Sequence, residues 1–238
     1  MAERMQQIQQ AFVLHTYPYR ETSLLVEALT RGSGRITLVA RGARRPRSLV
    51  RGMLMAFQPL LLAWYGKSEV KTLAQAEWQG GQPLLCGEAL LCGFYLNELL
   101  VRLLAREDPH EDLFERYRQA LEQLAAGAPS APILRAFEKT LLKELGYAMT
   151  LDREACTGRP IDPEALYTYD PERGPLELNA GSAELQVTGQ TLLDLARDDL
   201  GNPRSLLEAK GLMRALINHR LDFQPLNSRR IFRELLEL

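Results

Sequence analysis

The sequence predicts an α+β protein. A five-stranded OB-fold barrel spans residues 1–80, and an α-helical bundle domain follows over 81–238, with a short irregular insert at 147–187. Three observations predict it. The first 80 residues hold short β-rich runs with turn-rich joints and no helical periodicity, which suits a small barrel. The break at 79–83, QGGQP, is followed by long Leu-rich and amphipathic segments. The charge divides at the same place: residues 1–80 hold 11 Lys/Arg against 5 Asp/Glu, and residues 81–238 hold 18 against 25. A chain of formal charge -1 thus joins a basic module to an acidic one, a split that suggests a polyanion-binding part attached to something else.

Each element follows in order. Residues 11–19 (AFVLHTYPY) and 23–30 (SLLVEALT) are rich in β-formers, and a Gly-Ser-Gly turn leads into 35–40 (RITLVA). Glycine accepts the positive φ that a tight hairpin turn requires. Residues 57–65 (FQPLLLAWY) and 69–78 (EVKTLAQAEW) are the last two strands, joined across Gly66, Lys67 and Ser68. Residues 84–106 are apolar on almost every face, as expected of a central bundle helix. An amphipathic helix is predicted at 111–126. A second, at 133–145, aligns Leu134, Phe137, Leu141 and Leu145 and stops at Gly146. The insert carries prolines at 160, 163, 171 and 175 among short β-like pieces. Helices resume at 190–200 and at 203–221, where Asn202 before Pro203 reads as a cap with proline at the first helical position. A last helix is predicted at 229–236, capped by Asn227 or Ser228.

The segment 41–52, RGARRPRSLVRG, gathers five arginines and no acid. A loop between barrel strands presents guanidiniums without burying them, and the planar guanidinium matches phosphate with two parallel hydrogen bonds. Arg35, Arg41, Arg44, Arg45, Arg47 and Arg51 are the candidate phosphate contacts, with Lys67 and Lys71 as additions. Phe12, Tyr17, Tyr19, Phe57, Trp64 and Tyr65 are candidate stacking faces, although in an alternating strand about half of such residues point into the core. A solvated basic loop, or one that meets an acidic protein, fits the same composition.

No chemistry of turnover is legible. His15, His110 and His219 lack ligand spacing, no phosphate-loop motif occurs, and Cys86 and Cys92 lie on an apolar helix. Neither a catalytic group nor a cofactor is expected. Three cysteines give no disulfide framework, no apolar run approaches the roughly 20 residues of a membrane span, and residues 1–10 have no signal-peptide core, so a cytoplasmic location is expected. In the helical half, Arg135, Lys139 and Lys143 recur every four residues. They read either as a cationic edge for a peptide partner or as a solvated face.

Segments 11–44, 57–77, 96–104 (LNELLVRLL), 134–147 (LRAFEKTLLKELGY) and 225–232 (PLNSRRIF) together resemble the bacterial recombination mediator family RecO over nearly the whole chain. The most specific segment is the first. It combines Arg20-Glu21-Thr22-Ser23, the Gly-x-Gly hairpin and the Val-Ala-Arg-Gly-Ala-Arg exit. The resemblance implies a protein without enzymatic turnover that binds single- and double-stranded DNA, anneals complementary strands and helps load RecA onto DNA coated by single-strand-binding protein. It implies RecR and the C-terminal tail of single-strand-binding protein as partners, and association with the bacterial nucleoid during repair. The tail is acidic and ends in a hydrophobic residue, which a cationic rim on an apolar pocket would suit, with Arg135 as its leading contact. Many members carry a four-cysteine zinc module after the Leu-Gly-Tyr motif. Here only Cys156 remains, and one thiolate cannot complete a structural zinc site, so no metal is expected and packing alone must hold the insert.

Overall fold

The structure, a computed structural model, describes residues 8–178 and 186–236, the side chains of residues 233, 235 and 236 excepted. The insert residues 179–185 lie outside the described residues. The chain forms two compact units: Met1–Ala128 with Asn227–Leu238, and Pro129–Leu226.

In the first unit, β1 (Gln9–Tyr19), β2 (Ser23–Thr30), β3 (Gly34–Ala40), β4 (Pro59–Tyr65) and β5 (Val70–Trp78) close a barrel in the order β1-β2-β3-β5-β4. Each neighbouring pair is antiparallel except β3 and β5, where Thr37 lies beside Val70 and Val39 beside Thr72. The ring closes where β4 pairs with β1 over Gln9–Phe12. The interior is filled by Ala11, Val13, Val26, Ala28, Ile36, Leu38, Leu60 and Leu62, as the two-residue alternation of each strand dictates. Between β3 and β4 lies a short helix that the sequence reading did not foresee, α1 (Leu49–Met53). The glycines and proline of 41–52 end before it or fall inside only five residues, too short a span to leave a periodic signal.

The break at 79–83 ends the barrel but not the compact unit. Helices α2 (Gly87–Leu103) and α3 (Glu111–Ala125) pack on the barrel's outside. Phe12 faces outward from β1 and meets Phe114 and Tyr117, with ring centroids 5.6 and 5.2 Å apart. Asn97 donates to the Leu14 carbonyl (2.8 Å) and accepts from the Tyr117 hydroxyl (2.5 Å), so buried polar groups on α2 and α3 are satisfied. The loop after α2 is bonded to β3: Glu107 N donates to the Arg35 carbonyl at 2.9 Å. Gly34 is required there. Its φ is +67°, and a Cβ would stand 2.0 Å from the Asp108 carbonyl oxygen.

Helix α7 (Asn227–Leu236) closes this unit, with the Glu98 carboxylate of α2 accepting from Asn227 N, Ser228 N and Ser228 Oγ at 2.7–2.8 Å. A carboxylate at a helix N-terminus meets the orphan amides and the positive end of the helix dipole.

The second unit holds α4 (Ser130–Glu144), α5 (Gly189–Arg197) and α6 (Pro203–Arg220), with β6 (Leu166–Asp170), β7 (Gly174–Glu177) and β8 (Gln186–Thr188) between α4 and α5. The expected cap of α6 is present: the Asn202 side chain accepts from Arg204 N at 2.9 Å, and Pro203 opens the helix. The short β-like pieces of the insert pair into a sheet of order β7-β6-β8, and Pro175 lies on its edge strand, where a missing N–H costs no ladder bond. Leu151, Ile161, Tyr167 and Val187 pack with Leu192, Leu195, Leu212 and Met213. At Cys156 the turn is organised by the Glu154 carboxylate, which accepts from Cys156 N (3.0 Å), Thr157 N (2.5 Å) and Thr157 Oγ1 (2.6 Å).

Candidate nucleic-acid interface

The arginine segment is an ordered loop. Gly42 turns the chain out of β3 at φ +69°, and Ala43 is fully buried as an anchor. The Arg44 amide donates to Thr22 O (2.9 Å), Arg45 N to Gly42 O (3.1 Å) and Ser48 N to Arg45 O (3.1 Å). With the backbone committed to itself and to the β1–β2 turn, the side chains of Arg41, Arg44, Arg45, Arg47 and Arg51 are left exposed. Among the described residues none of the five forms an ion pair. The Arg44 guanidinium donates instead to the Arg20 carbonyl at 3.2 Å. Arg20, exposed in the β1–β2 turn, thereby joins the cluster. Reasoning from the sequence missed it because it lies 21 residues before Arg41, and only the β2–β3 pairing, which sets Leu24 opposite Ala40, brings it close.

The other three predicted contacts are placed elsewhere. Arg35 is mostly buried: it donates to the Glu27 carboxylate at 2.9 Å and to the Leu104 carbonyl at 3.0 and 3.2 Å. Lys71 is buried and pairs with Glu107 at 2.5 Å. Both expectations are corrected. Arg35 is not free for phosphate, because giving up Glu27 would leave a buried carboxylate bare. Lys71 is itself buried, with its ammonium held by the exposed Glu107, so neither presents its charge as the loop arginines do. Glu27, 3% exposed, also accepts from Thr37 Oγ1 (2.7 Å) and from Arg106 (3.2 Å), and Arg106 reaches Glu69 as well. Burial would lower the Arg106 pKa, but the Glu27 and Glu69 carboxylates outweigh it and raise the pKa above its ordinary value. Lys67 is exposed, but it lies beyond Val70, which pairs with Thr37. The arginine loop lies beyond Ala40, at the opposite end of β3. The structure does not bring Lys67 to the cluster.

The six aromatics sort by burial. Phe12, Phe57 and Trp64 are core residues. Tyr17 is exposed, and Tyr19 and Tyr65 are partly so.

In the second unit the four-residue repeat splits. Arg135, 6% exposed, is locked to Glu138, fully buried, at 2.5 and 2.7 Å. The expectation of an accessible Arg135 is corrected: position 135 turns toward the core beside Phe137 and Glu138, and only a paired guanidinium is tolerated there. Lys139 donates to the Leu195 and Ala196 carbonyls (2.8 and 3.2 Å) and pairs with Asp198 at 2.5 Å, so it satisfies the orphan carbonyls at the end of α5. Lys143 is exposed. The two lysines border a cleft of about 270 Å³ with Ala148, Met149, Leu151, Asp152 and Ala196. Among the described residues no His, Cys, Asp and Glu group is arranged to hold a metal ion, and no helix is long and apolar enough to cross a membrane.

A closed β1-β2-β3-β5-β4 barrel with one parallel closure, carrying an exposed arginine loop between β3 and β4, defines the chain as an OB-type barrel protein with appended helices. Comparison with known proteins makes the class particular. The family models described as Recombination protein O N terminal and Recombination protein O C terminal match residues 5–81 and 86–230. The chain belongs to the Recombination protein O family. It is 59% identical to the DNA repair protein RecO of Aromatoleum aromaticum over 97% of this chain and 96% of that protein. It is 53% identical to the one of Nitrosospira multiformis (99% and 98%), and 52% to the one of Burkholderia pseudomallei (97% and 84%).

Proposed function

We infer that this protein serves DNA repair and recombination by binding single- and double-stranded DNA through the arginine loop, annealing complementary strands, and helping to load RecA onto DNA coated by single-strand-binding protein. The observation that carries the reading is the set of five exposed guanidiniums between β3 and β4, four on the backbone-pinned loop and Arg51 on α1, without ion pairs among the described residues. Two polyanions repel, and neutralising their phosphates lowers the cost of bringing complementary strands together. Family membership and the name its relatives share, DNA repair protein RecO, support the same direction. The protein acts without turnover of its own, in the cytoplasm at the nucleoid. RecR is a partner, and the acidic tail of single-strand-binding protein docks at the Lys139–Lys143 cleft.

A second reading makes the loop a dock for an acidic protein. Fluorescence anisotropy with a labelled oligonucleotide at several salt concentrations separates the two. With about four phosphates contacted, log K falls with log salt at a slope of roughly -3 for a single strand. Absence of binding at low salt would leave the adaptor reading. An annealing assay with and without single-strand-binding protein tests the rest: complementary strands should pair faster in both cases, without cleavage products when Mg²⁺ is present.

A further inference from the structure

Strand β1 changes its outward face halfway along. Ala11 and Val13 point into the barrel and Phe12 points out under α3. The pairing with β2 then slips between Val13 and His15, where Leu14 is the extra residue. Such a bulge reverses the parity of everything that follows. After it, Thr16 and Pro18 stand opposite Val26 and Leu24, which pack on the barrel core, although Pro18 itself is exposed where the strand ends. His15, Tyr17 and Tyr19 stand opposite Glu27, Leu25 and Ser23 on the other face. Without the slip the outward set would be Leu14, Thr16 and Pro18.

These three rings are on the part of β1 that pairs with β2 alone, since β4 pairs with β1 only at Gln9–Phe12. His15 and Tyr17 are exposed, Tyr17 by 42%, and their ring centroids are 4.3 Å apart in an edge-on arrangement. The Arg20 guanidinium stands 5.2 Å from the Tyr19 ring centroid. The same turn is bonded to the arginine loop through Arg44, and Arg41, following Ala40 opposite Leu24, is level with Ser23. The row of rings therefore runs into the cationic cluster.

We propose that His15, Tyr17 and Tyr19 form a stacking platform for the unpaired bases of a single strand whose phosphates lie on the arginine loop. The proposal rests on the reading of that loop as a phosphate site. Charge selects a polyanion, and the rings select what it displays. Outward residues two apart on a strand are separated by about 6.6 Å, roughly twice the 3.4 Å spacing along one strand of a duplex. Bases that follow the rings have left the stacked helix, so the platform favours single strands over duplex. A protein partner would gain nothing from the bases and is distinguished by the same test.

The experiment is a titration of the full chain with a labelled oligothymidylate and with an abasic strand of equal length, which keeps the phosphates and lacks the bases. The wild type should bind oligothymidylate about tenfold tighter than the abasic strand. The double variant Tyr17→Ala/Tyr19→Ala should lose that preference while keeping its affinity for the abasic strand and its salt slope. Tyr17→Leu, which keeps an apolar side chain on the strand, should lose part of the preference, and Tyr17→Trp should retain it. Equal wild-type affinity for the two strands overturns the platform, as does an undiminished preference in both the double variant and Tyr17→Leu. If neither strand binds, the phosphate reading itself falls and the platform with it.

Discussion

The two ends of β3 carry the same residue type with opposite fates. At the Gly34 end, Arg35 and its neighbours Arg106 and Lys71 are matched by Glu27, Glu69 and Glu107. At the Ala40 end, Arg41, Arg44, Arg45, Arg47 and Arg51 have no ion pair among the described residues. The first end uses cations to fasten the loop after α2 to the barrel. The second holds them in solvent by satisfying the loop backbone internally. A guanidinium's role is thus set by which carboxylates the topology brings to it, and arginine density along the chain does not report that.

The sharpest way to break the comparison is to remove the acid at the matched end. Glu27→Ala leaves Arg35 and Arg106 without their buried partner and should lower stability by about 3–5 kcal/mol in urea unfolding. Arg135→Ala applies the same logic to the second unit. It strips Glu138 of its guanidinium and should cost about 3 kcal/mol.

The opposite end should respond in the opposite way. Replacing Arg44, Arg45 and Arg47 with Ala should leave unfolding within about 0.5 kcal/mol of wild type, because these side chains make few contacts within the protein. It should flatten the log K against log salt slope for a single strand by about 2. Arg35→Ala completes the contrast: it should destabilise and leave the slope where it was. A slope that moved with Arg35 and stayed fixed without Arg44, Arg45 and Arg47 would reverse the assignment of the two ends.

The barrel was legible because its signals are local: a two-residue alternation, a Gly-Ser-Gly turn and a break at 79–83. The arginine loop was legible for the same reason, since composition over twelve residues already shows it. What stayed hidden depends on residues far apart in the chain. Glu107 reaches Lys71 across 36 residues, and Arg106 reaches Glu27 across 79. The face shown by Tyr17 depends on a one-residue slip at Leu14 that no residue type announces. The four-residue repeat of Arg135, Lys139 and Lys143 placed three cations on one stripe. The helix crosses from core to solvent along that stripe, so the first is buried, the second caps α5 and the third is exposed.

That gradient along α4 yields the smallest predicted effect. An acidic peptide ending in a hydrophobic residue would place its apolar end against Met149 and Leu151, and its charges near Lys143, with Asp152 opposing them from the same cleft. An exposed cation is screened and contributes modestly, so Lys143→Glu should weaken the single-strand-binding tail peptide about threefold at low salt, with less effect as salt rises. Asp152→Asn, which removes the opposing charge, should strengthen binding by a similar factor. Arg135→Ala, measured at a temperature where it remains folded, should bind as the wild type does, because its guanidinium faces Glu138 and not the cleft. Calorimetric titration of Lys143→Glu and Arg135→Ala ranks two residues of one helix by exposure, and Asp152→Asn reads the opposing charge. If Arg135 outranked Lys143, the peptide would have to enter the helix's buried side, and the cleft beside Met149 would no longer be its site.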